Sequence, residues 1–459
     1  MGTEKFGRLT GIINYLESET HAAPLAIFRL IFGMIMLIST LRFWILGWIA
    51  DHFVHTKVQF KYFGFEWVSL LPPTWMYLLH ALMVISTVGI MLGFRYRIST
   101  VTFFLCFTYT ELVDITYYLN HYYFVSWVSF LLIFLPANRY FALDVYRNNA
   151  AHSPLVPRWS ILILQFLLTM VYFFAGLAKI NSTWLLEALP LSIWLPPLYH
   201  LPILGALLKI SWIPWVFSWA GMVYDCSIVF WLSWQPTRAY AYAAVVVFHL
   251  LTGLFFQIGI FPMLMIGATT IFFPATFHEK IVQKLQRLAN RNVPPLNNIA
   301  QPSFLSKRTR GALFLCFLVF HLCFPLRYLL YPGNVFWTEE GYRFSWRVML
   351  MEKAGTATFY VKDPTTGKEG TVINSDFLCA HQEKQMAMQP DLIVQFAHFL
   401  SHYYQQGGMK NPSVRAEVFV TLNGRKSQLL INPNLDLTKI KDQWKPKTWI
   451  NPLPEDPMF

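Results

Sequence analysis

The chain is poor in charge. Asp, Glu, Lys and Arg make up 13% of its 459 residues, against roughly 25% in an ordinary soluble domain. It is also poor in the residues that staple or metallate small folds. Of its five cysteines, Cys106, Cys226, Cys316 and Cys323 lie in or beside apolar runs, and Cys379 stands alone in the polar last third. That third therefore cannot close an internal disulfide. No CxxC pair or Cys/His zinc spacing occurs, and all five thiols read as buried and inert. No basic stretch with interleaved aromatics lies in a polar context, which sets nucleic acid aside as a partner. There is no internal repeat and no low-complexity tract. The start MGTEKFGRLT is polar, and the apolar run from Pro24 to Ala50 is long enough to stay as an anchor rather than a cleavable signal. Met1-Gly2 followed by Phe6 lacks the Ser or Thr of a myristoylation signal.

What remains is apolar: 55% hydrophobic and 17% aromatic residues, with a mean hydropathy of +0.41. These values describe a polytopic membrane protein. Runs long enough to span fall at about 24–49, 73–93, 98–118, 122–137, 160–179, 212–233, 239–255, 257–274 and 311–330. The fourth, seventh and eighth are short. Gly253, Gln257 and Gly259 interrupt the chain between the last two, so these also read as one re-entrant hairpin of broken helices. The expected count is about seven to nine spans.

The net charge of +12 assigns sides. Lys5, Arg8, Arg95, Arg97, Arg139, Arg147, Arg158, Arg238 and the cluster Lys280, Lys284, Arg287, Arg291, Lys307, Arg308 and Arg310 all fall on one face. The positive-inside rule makes that face cytoplasmic. The sequence from about Pro332 then lies on the opposite face, in the periplasm or the lumen of the endoplasmic reticulum. There TATFYVKDPTTGKEGTVIN and AEVFVTLNGRKSQLLI read as two β-hairpins, the second with an Asn423-Gly424 turn. DLIVQFAHFLSHYY reads as an amphipathic helix ended by Gly407 and Gly408. The expected architecture is an α-helical polytopic membrane bundle, residues 1–331, with a C-terminal extracytoplasmic β-rich domain, residues 332–459.

Ionisable residues inside spans are costly and point to function. Glu111 and Asp114 are three apart, which places them on one helix face. Asn120 and His121 follow at the turn into the fourth span. Lys179 ends the fifth, His249 lies near the tip of the hairpin, and Asp225 lies deeper, in the sixth. Taken singly, each has a structural reading: a turn network, a snorkelling lysine, a satisfied core histidine, a counter-ion. Taken together, Asn120, His121, Lys179 and His249 converge on the face that carries the C-terminal domain. That convergence predicts one site, open to a lipid-soluble ligand from the side and a polar one from above.

At these residues the sequence resembles the vitamin K-dependent gamma-glutamyl carboxylases, whose membrane part is of the HTTM type. PLAIFRLIFGMIML and TWMYLLHALMVISTVGIMLGFRYRIS resemble the family's first two spans. YLNHYYF with FLPANRYFALD, FFAGLAKINSTWL, FHLLTGLFFQIGIF, NVFWTEEGYRFSWRVM and DQWKPKTWINP follow in family order. There are departures. Ala178-Lys179 stands where animal members have two lysines, Arg343 and Phe344 replace Gly and Tyr, and Met351 and Glu352 replace a more basic, His-rich stretch. Animal members also continue beyond the position of Phe459, so propeptide recognition is not implied.

The resemblance implies an enzyme, a carbon–carbon lyase of the peptidyl-glutamate 4-carboxylase type. It oxidises vitamin K hydroquinone (a reduced menaquinone or phylloquinone) with O2 to the epoxide, and uses the base so formed to carboxylate peptide glutamate with CO2, with no metal. Lys179 is then the base, and desolvation favours the neutral amine this needs. His121 and His249 join it as catalytic groups. Asn120, His121, Asp114 and Lys179 bind the cofactor, with Asp114 orienting His121. Trp337, Tyr342 and Trp346 contact the substrate. The implied partners are a glutamate-containing peptide or protein and the lipid bilayer. The single glycosylation sequon, Asn181-Ser182-Thr183, lies against the membrane, which favours a bacterial homologue in the inner membrane with a periplasmic domain. The alternatives are a membrane quinol epoxidase or quinone-redox protein without carboxylation, and a haem protein ligated by His121 and His249.

Overall fold

The computed structural model describes residues 11, 13–147, 153–288, 306–441 and 443–453. Lys5, Arg8 and Arg291 and the side chains of Lys307 and Arg308, used above for sidedness, lie outside the described residues.

The membrane part is built from helices at each expected span: α1 (Ala23–Ile45), α2 (Pro73–Leu92), α3 (Tyr96–Val113), α4 (Asn120–Phe134), α5 (Trp159–Ala178), α6 (Ile213–Ser233), α7 (Arg238–Phe255), α8 (Phe261–Thr269), α9 (Ala275–Leu288) and α10 (Lys307–Cys323). Prolines open α1, α2, α6 and α8, where a missing N–H costs nothing. Six of these segments are long and apolar enough to cross a membrane, or seven if the bent pair α8–α9 counts as one. By length and hydropathy the count among the described residues is thus six or seven, against the expected seven to nine. At 15 residues, α4 extends only about 22 Å against a hydrocarbon core of roughly 30 Å. The eighth segment turns by 114° into α9.

α1 packs against α2, α8 and α9; α5 packs against α6, and α6 against α7. One close approach matters for function. A Cβ on Gly176 would lie 2.6 Å from Cys226 Sγ and 2.7 Å from its backbone nitrogen. Only glycine lets α5 and α6 touch there.

The C-terminal domain is a four-stranded antiparallel sheet in the order β2-β1-β3-β4: β1 (Lys353–Lys362), β2 (Glu369–Thr371), β3 (Ser413–Leu422) and β4 (Gln428–Leu429). The two expected hairpins are present, and β1 pairs with β3 over ten residues, Lys353 opposite Leu422 through Lys362 opposite Ser413. Asn423 (φ 51) and Gly424 (φ 76) turn β3 into β4. The short α11 (Ala380–Met386) and the amphipathic α12 (Pro390–Gln406) accompany the sheet. Phe396 of α12 meets Phe359 of β1 edge-on at 4.9 Å, and both are fully buried. The alternating burial of β3 is the period-2 pattern of a strand with one covered face.

This domain is not a separate body. Its core is continuous with Val58, Phe60 and Ile115 of the bundle's loops and with Trp184, Leu191 and Leu195 of the segment after α5. His381 of α11 bonds the Thr116 carbonyl at 2.9 Å, and Gln382 donates to both the Val58 carbonyl and Asp114.

Candidate functional site

Where the bundle meets the domain, two cavities adjoin. The first, about 370 Å3, is lined almost wholly by apolar groups of α5, α6 and α7. The second, about 1220 Å3, is bounded by the ends of α1 and α3, the start of α4 and α11, and is rich in histidine. Phe256, Ile258, Phe261, Val348 and Met349 line both. Phe261 stands between them: its ring lies 5.7 Å from His121 on one side and 5.7 Å from His249 on the other. Of the four residues expected to converge on one site, Lys179 and His249 line the first chamber and Asn120 and His121 the second.

Lys179 is the C-cap of α5, three residues beyond the Gly176 contact. That contact brings its ammonium 2.7 Å from Asp225 Oδ2, and it also donates to the Ala175 carbonyl at 3.2 Å. Trp184 covers it, with the ring centroid 5.4 Å away. Both charged groups are buried and line the dry chamber. Lys179 is thus not alone in the chamber: it stands against a carboxylate. The sequence supplied burial, and the structure adds a counter-ion, which the sequence reading had left among the structural residues. His249, also in the dry chamber, accepts or donates at Nε2 to the Tyr172 hydroxyl at 2.9 Å, while its Nδ1 has no hydrogen-bond partner.

His121 faces the second chamber, edge-on to Tyr122 at 4.6 Å. Asn120 lines the same chamber and is tied to its surroundings. Its amide donates to the Arg347 carbonyl at 2.9 Å, and its oxygen accepts from Tyr118 at 3.1 Å. Asp114 does not orient His121. α3 ends at Val113, Asp114 is extended (φ −145), and its carboxylate accepts from Thr116 N and Oγ1 and from Gln382. Glu111 and Asp114 consequently share no helix face: the helix stops between them.

The three residues expected to touch substrate line neither chamber. Trp337 is a core side chain whose indole donates to the Asn451 carbonyl. Trp346 is buried against Tyr123, centroids 4.8 Å apart. Tyr342 packs on Phe336 at 6.3 Å. Large aromatic residues in a matched block read as ligand contacts, but here they fix the loop that does reach the site. Between Phe344 and Met349, three non-glycine residues, Phe344, Trp346 and Met349, adopt positive φ. Such backbone persists only where the surroundings over-determine it. Tyr118 accepts from Phe344 N, Arg327 holds Ser345 and the Arg343 carbonyl, and Asn120 holds Arg347. The result presents Val348 and Met349 to both chambers. No sequence signal marks those two, because they are apolar and carry no chemistry of their own.

A haem clasped by His121 and His249 would need the place that Phe261 fills, and His249 Nε2 is engaged by Tyr172. Asn181, the sequon residue, caps the turn after α5: it accepts from Trp184 N and donates to the Ala178 carbonyl.

No solved structure matches the chain. Two family models do, and they divide it as the structure does. Residues 18–277 match the HTTM domain, which takes in α1 to α8 and every charged or imidazole group of the dry chamber. Residues 306–456 match the vitamin K-dependent gamma-carboxylase lumenal domain, which takes in the loop that closes both chambers. With the two matches meeting at a shared wall, the chain, an integral membrane protein, belongs to the vitamin K-dependent gamma-carboxylase family.

Proposed function

We propose that the protein is a vitamin K-dependent gamma-carboxylase in which the dry chamber takes the hydroquinone and the histidine-lined chamber takes the peptide glutamate. The observation that carries this reading is the buried Lys179–Asp225 pair facing an apolar cavity that shares a wall with a polar one. A hydroquinone is a flat apolar ring with two hydroxyls. The chamber offers apolar walls, an amine–carboxylate pair and the free Nδ1 of His249, a donor set that suits such a ring. Its volume lies at the lower end of the range for small-molecule sites.

When bound, the hydroquinone supplies the strong base through its oxidation by O2 to the epoxide. The chain's own residues do the rest. Lys179 Nζ accepts a hydroxyl proton once its own proton has passed to Asp225 Oδ2, 2.7 Å away; within a buried pair this transfer exchanges one paired state for another without stranding a charge. His249, fixed by Tyr172, orients the ring through Nδ1. Trp184, Phe248 and Phe261 exclude water, which would otherwise quench a strong base. The partition at Phe261, Val348 and Met349 is where the two substrates meet, and His121 serves the peptide side of it. On this reading the C-terminal domain is extracytoplasmic, and in a bacterium it lies in the periplasm.

Incubation with vitamin K hydroquinone, labelled bicarbonate and a glutamate-containing peptide tests the proposal. Label in the peptide together with epoxide is expected. Epoxide without label would leave a quinol epoxidase, and neither product would end the proposal.

A further inference from the structure

The second chamber carries a cation without a counter-ion. Arg42 is the only arginine or lysine among its lining residues. It stands in the last turn of α1, its guanidinium 4.8 Å over the ring of Trp48. It belongs to none of the ion pairs among the described residues; Asp51, the nearest acid in sequence, faces His55 instead. It lies beside the dividing turn. Arg42 Nη1 comes 3.6 Å from where a Cβ on Gly259 would stand, and Gly259 has φ +61. Gly259 lies in the turn between α7 and α8 whose Phe256, Ile258 and Phe261 form the wall between the chambers. A fork of donors thus stands beside the partition, on the polar side; Asp51 and Glu111 line the same chamber, but neither is in an ion pair with it among the described residues.

We propose that Arg42 is a carboxylate-binding residue that seats the side chain of the acceptor glutamate against the partition. The assignment rests on the carboxylase reading and adds to it the residue that selects the acid. The chemistry asks for such a group. Removing a proton from the γ-carbon leaves an electron pair beside an existing carboxylate, so the side chain goes from one negative charge to two. That pair then forms the new bond to the carbon of CO2, and the second charge ends on the added carboxylate, while the proton leaves with the base. A guanidinium already paired with the first carboxylate offsets the second charge as it develops. Arginine suits this better than lysine because its planar fork meets a carboxylate bidentately. The alternative is an interfacial arginine that merely snorkels, which would show no preference for an acid.

The test uses the full chain in nanodiscs and two peptides that differ only by Glu in place of Gln. Equilibrium binding is measured for the natural chain, Arg42→Met and Arg42→Lys. The natural chain should prefer the Glu peptide on the order of tenfold or more, the usual worth of a hydrogen-bonded charge pair. Arg42→Met should bind both peptides alike, and Arg42→Lys should keep part of the preference. Binding of the Gln peptide reports that each variant is folded. In turnover, KM for the Glu peptide should rise more than kcat falls. An Arg42→Met variant that keeps the full Glu preference overturns the role of Arg42 while leaving the carboxylase reading intact. A natural chain that incorporates no label from bicarbonate overturns both.

Discussion

The two chambers share five residues and differ in almost everything else. The first places a buried ion pair and one histidine among apolar rings. The second collects histidines, an arginine and two acids in more than three times the volume. A dry site makes each proton matter, because a charge there is not screened. A wet, roomy site admits a peptide. One cavity could not do both: water brought in with the peptide would quench a strong base. On the proposed reading, the partition is as much a part of the chemistry as the lysine.

The largest test of that contrast is Lys179→Ala. Loss of a general base costs about 10²- to 10⁴-fold, and both epoxide formation and carboxylation should fall together. A small added amine should restore activity, more so as pH rises and more of it is neutral. Near-normal epoxidation without the amine would move the base elsewhere. Gly176→Ala should mimic this defect through geometry, since the new methyl meets Cys226 and must part α5 from α6.

Next in size is a change that touches neither chamber directly. In the C-terminal domain, Arg343 pairs with Asp391 at 2.6 Å, both largely buried. Burial pushes the Asp391 carboxyl up, but Arg343, helped by Lys447, outweighs it and holds the group well below the usual carboxylate range. A depressed folded value contributes stability that is full above the unfolded value of about 3.9 and is lost as pH falls below it. The domain should therefore loosen in acid. Asp391→Asn should cost about 3–5 kcal/mol by stranding Arg343 and should flatten the acid limb of a pH-dependent melting series. An unchanged acid limb would reject this account.

Phe261→Ala should break the contrast itself. With the dividing ring gone, the ratio of epoxide formed to carboxylate added should rise several-fold as water reaches the dry side. A constant ratio would mean that Val348 and Met349 suffice as the wall. The smallest effect is expected from His121→Ala. It should lower carboxylation more than epoxidation, because the imidazole faces the peptide side. Equal loss in both would return His121 to the quinone.

The sequence made the architecture legible wherever one physical signal dominated. Apolar runs placed the helices, and alternation with Asn423-Gly424 placed the hairpins. It marked the run of α4 as short, and the helix has 15 residues; it misjudged the end of α3, where Asp114 stops the helix instead of continuing a face. In the site, burial of Lys179, His249 and His121 could be read from their apolar surroundings. Their partners could not: the approach of Gly176 to Cys226 joins helices 46 residues apart between Lys179 and Asp225, and no local pattern records it. Trp337, Tyr342 and Trp346 line neither chamber, and the sequence could not tell for a related reason. Aromatic residues carry the same signature whether they hold a substrate or a loop.

The strained loop from Phe344 to Met349 takes its shape from both matched halves of the chain: Asn120 and Tyr118 grip it from one, and Arg327, through Ser345, from the other. Modularity therefore stops short of the two chambers. A bundle grafted to a domain from a distant relative would keep its helices and its sheet yet arrive without a wall, since neither parent encodes that wall alone. Changes at these positions should travel together through a lineage, and an engineer who exchanges substrate-facing domains must carry the grip residues of the bundle along with them.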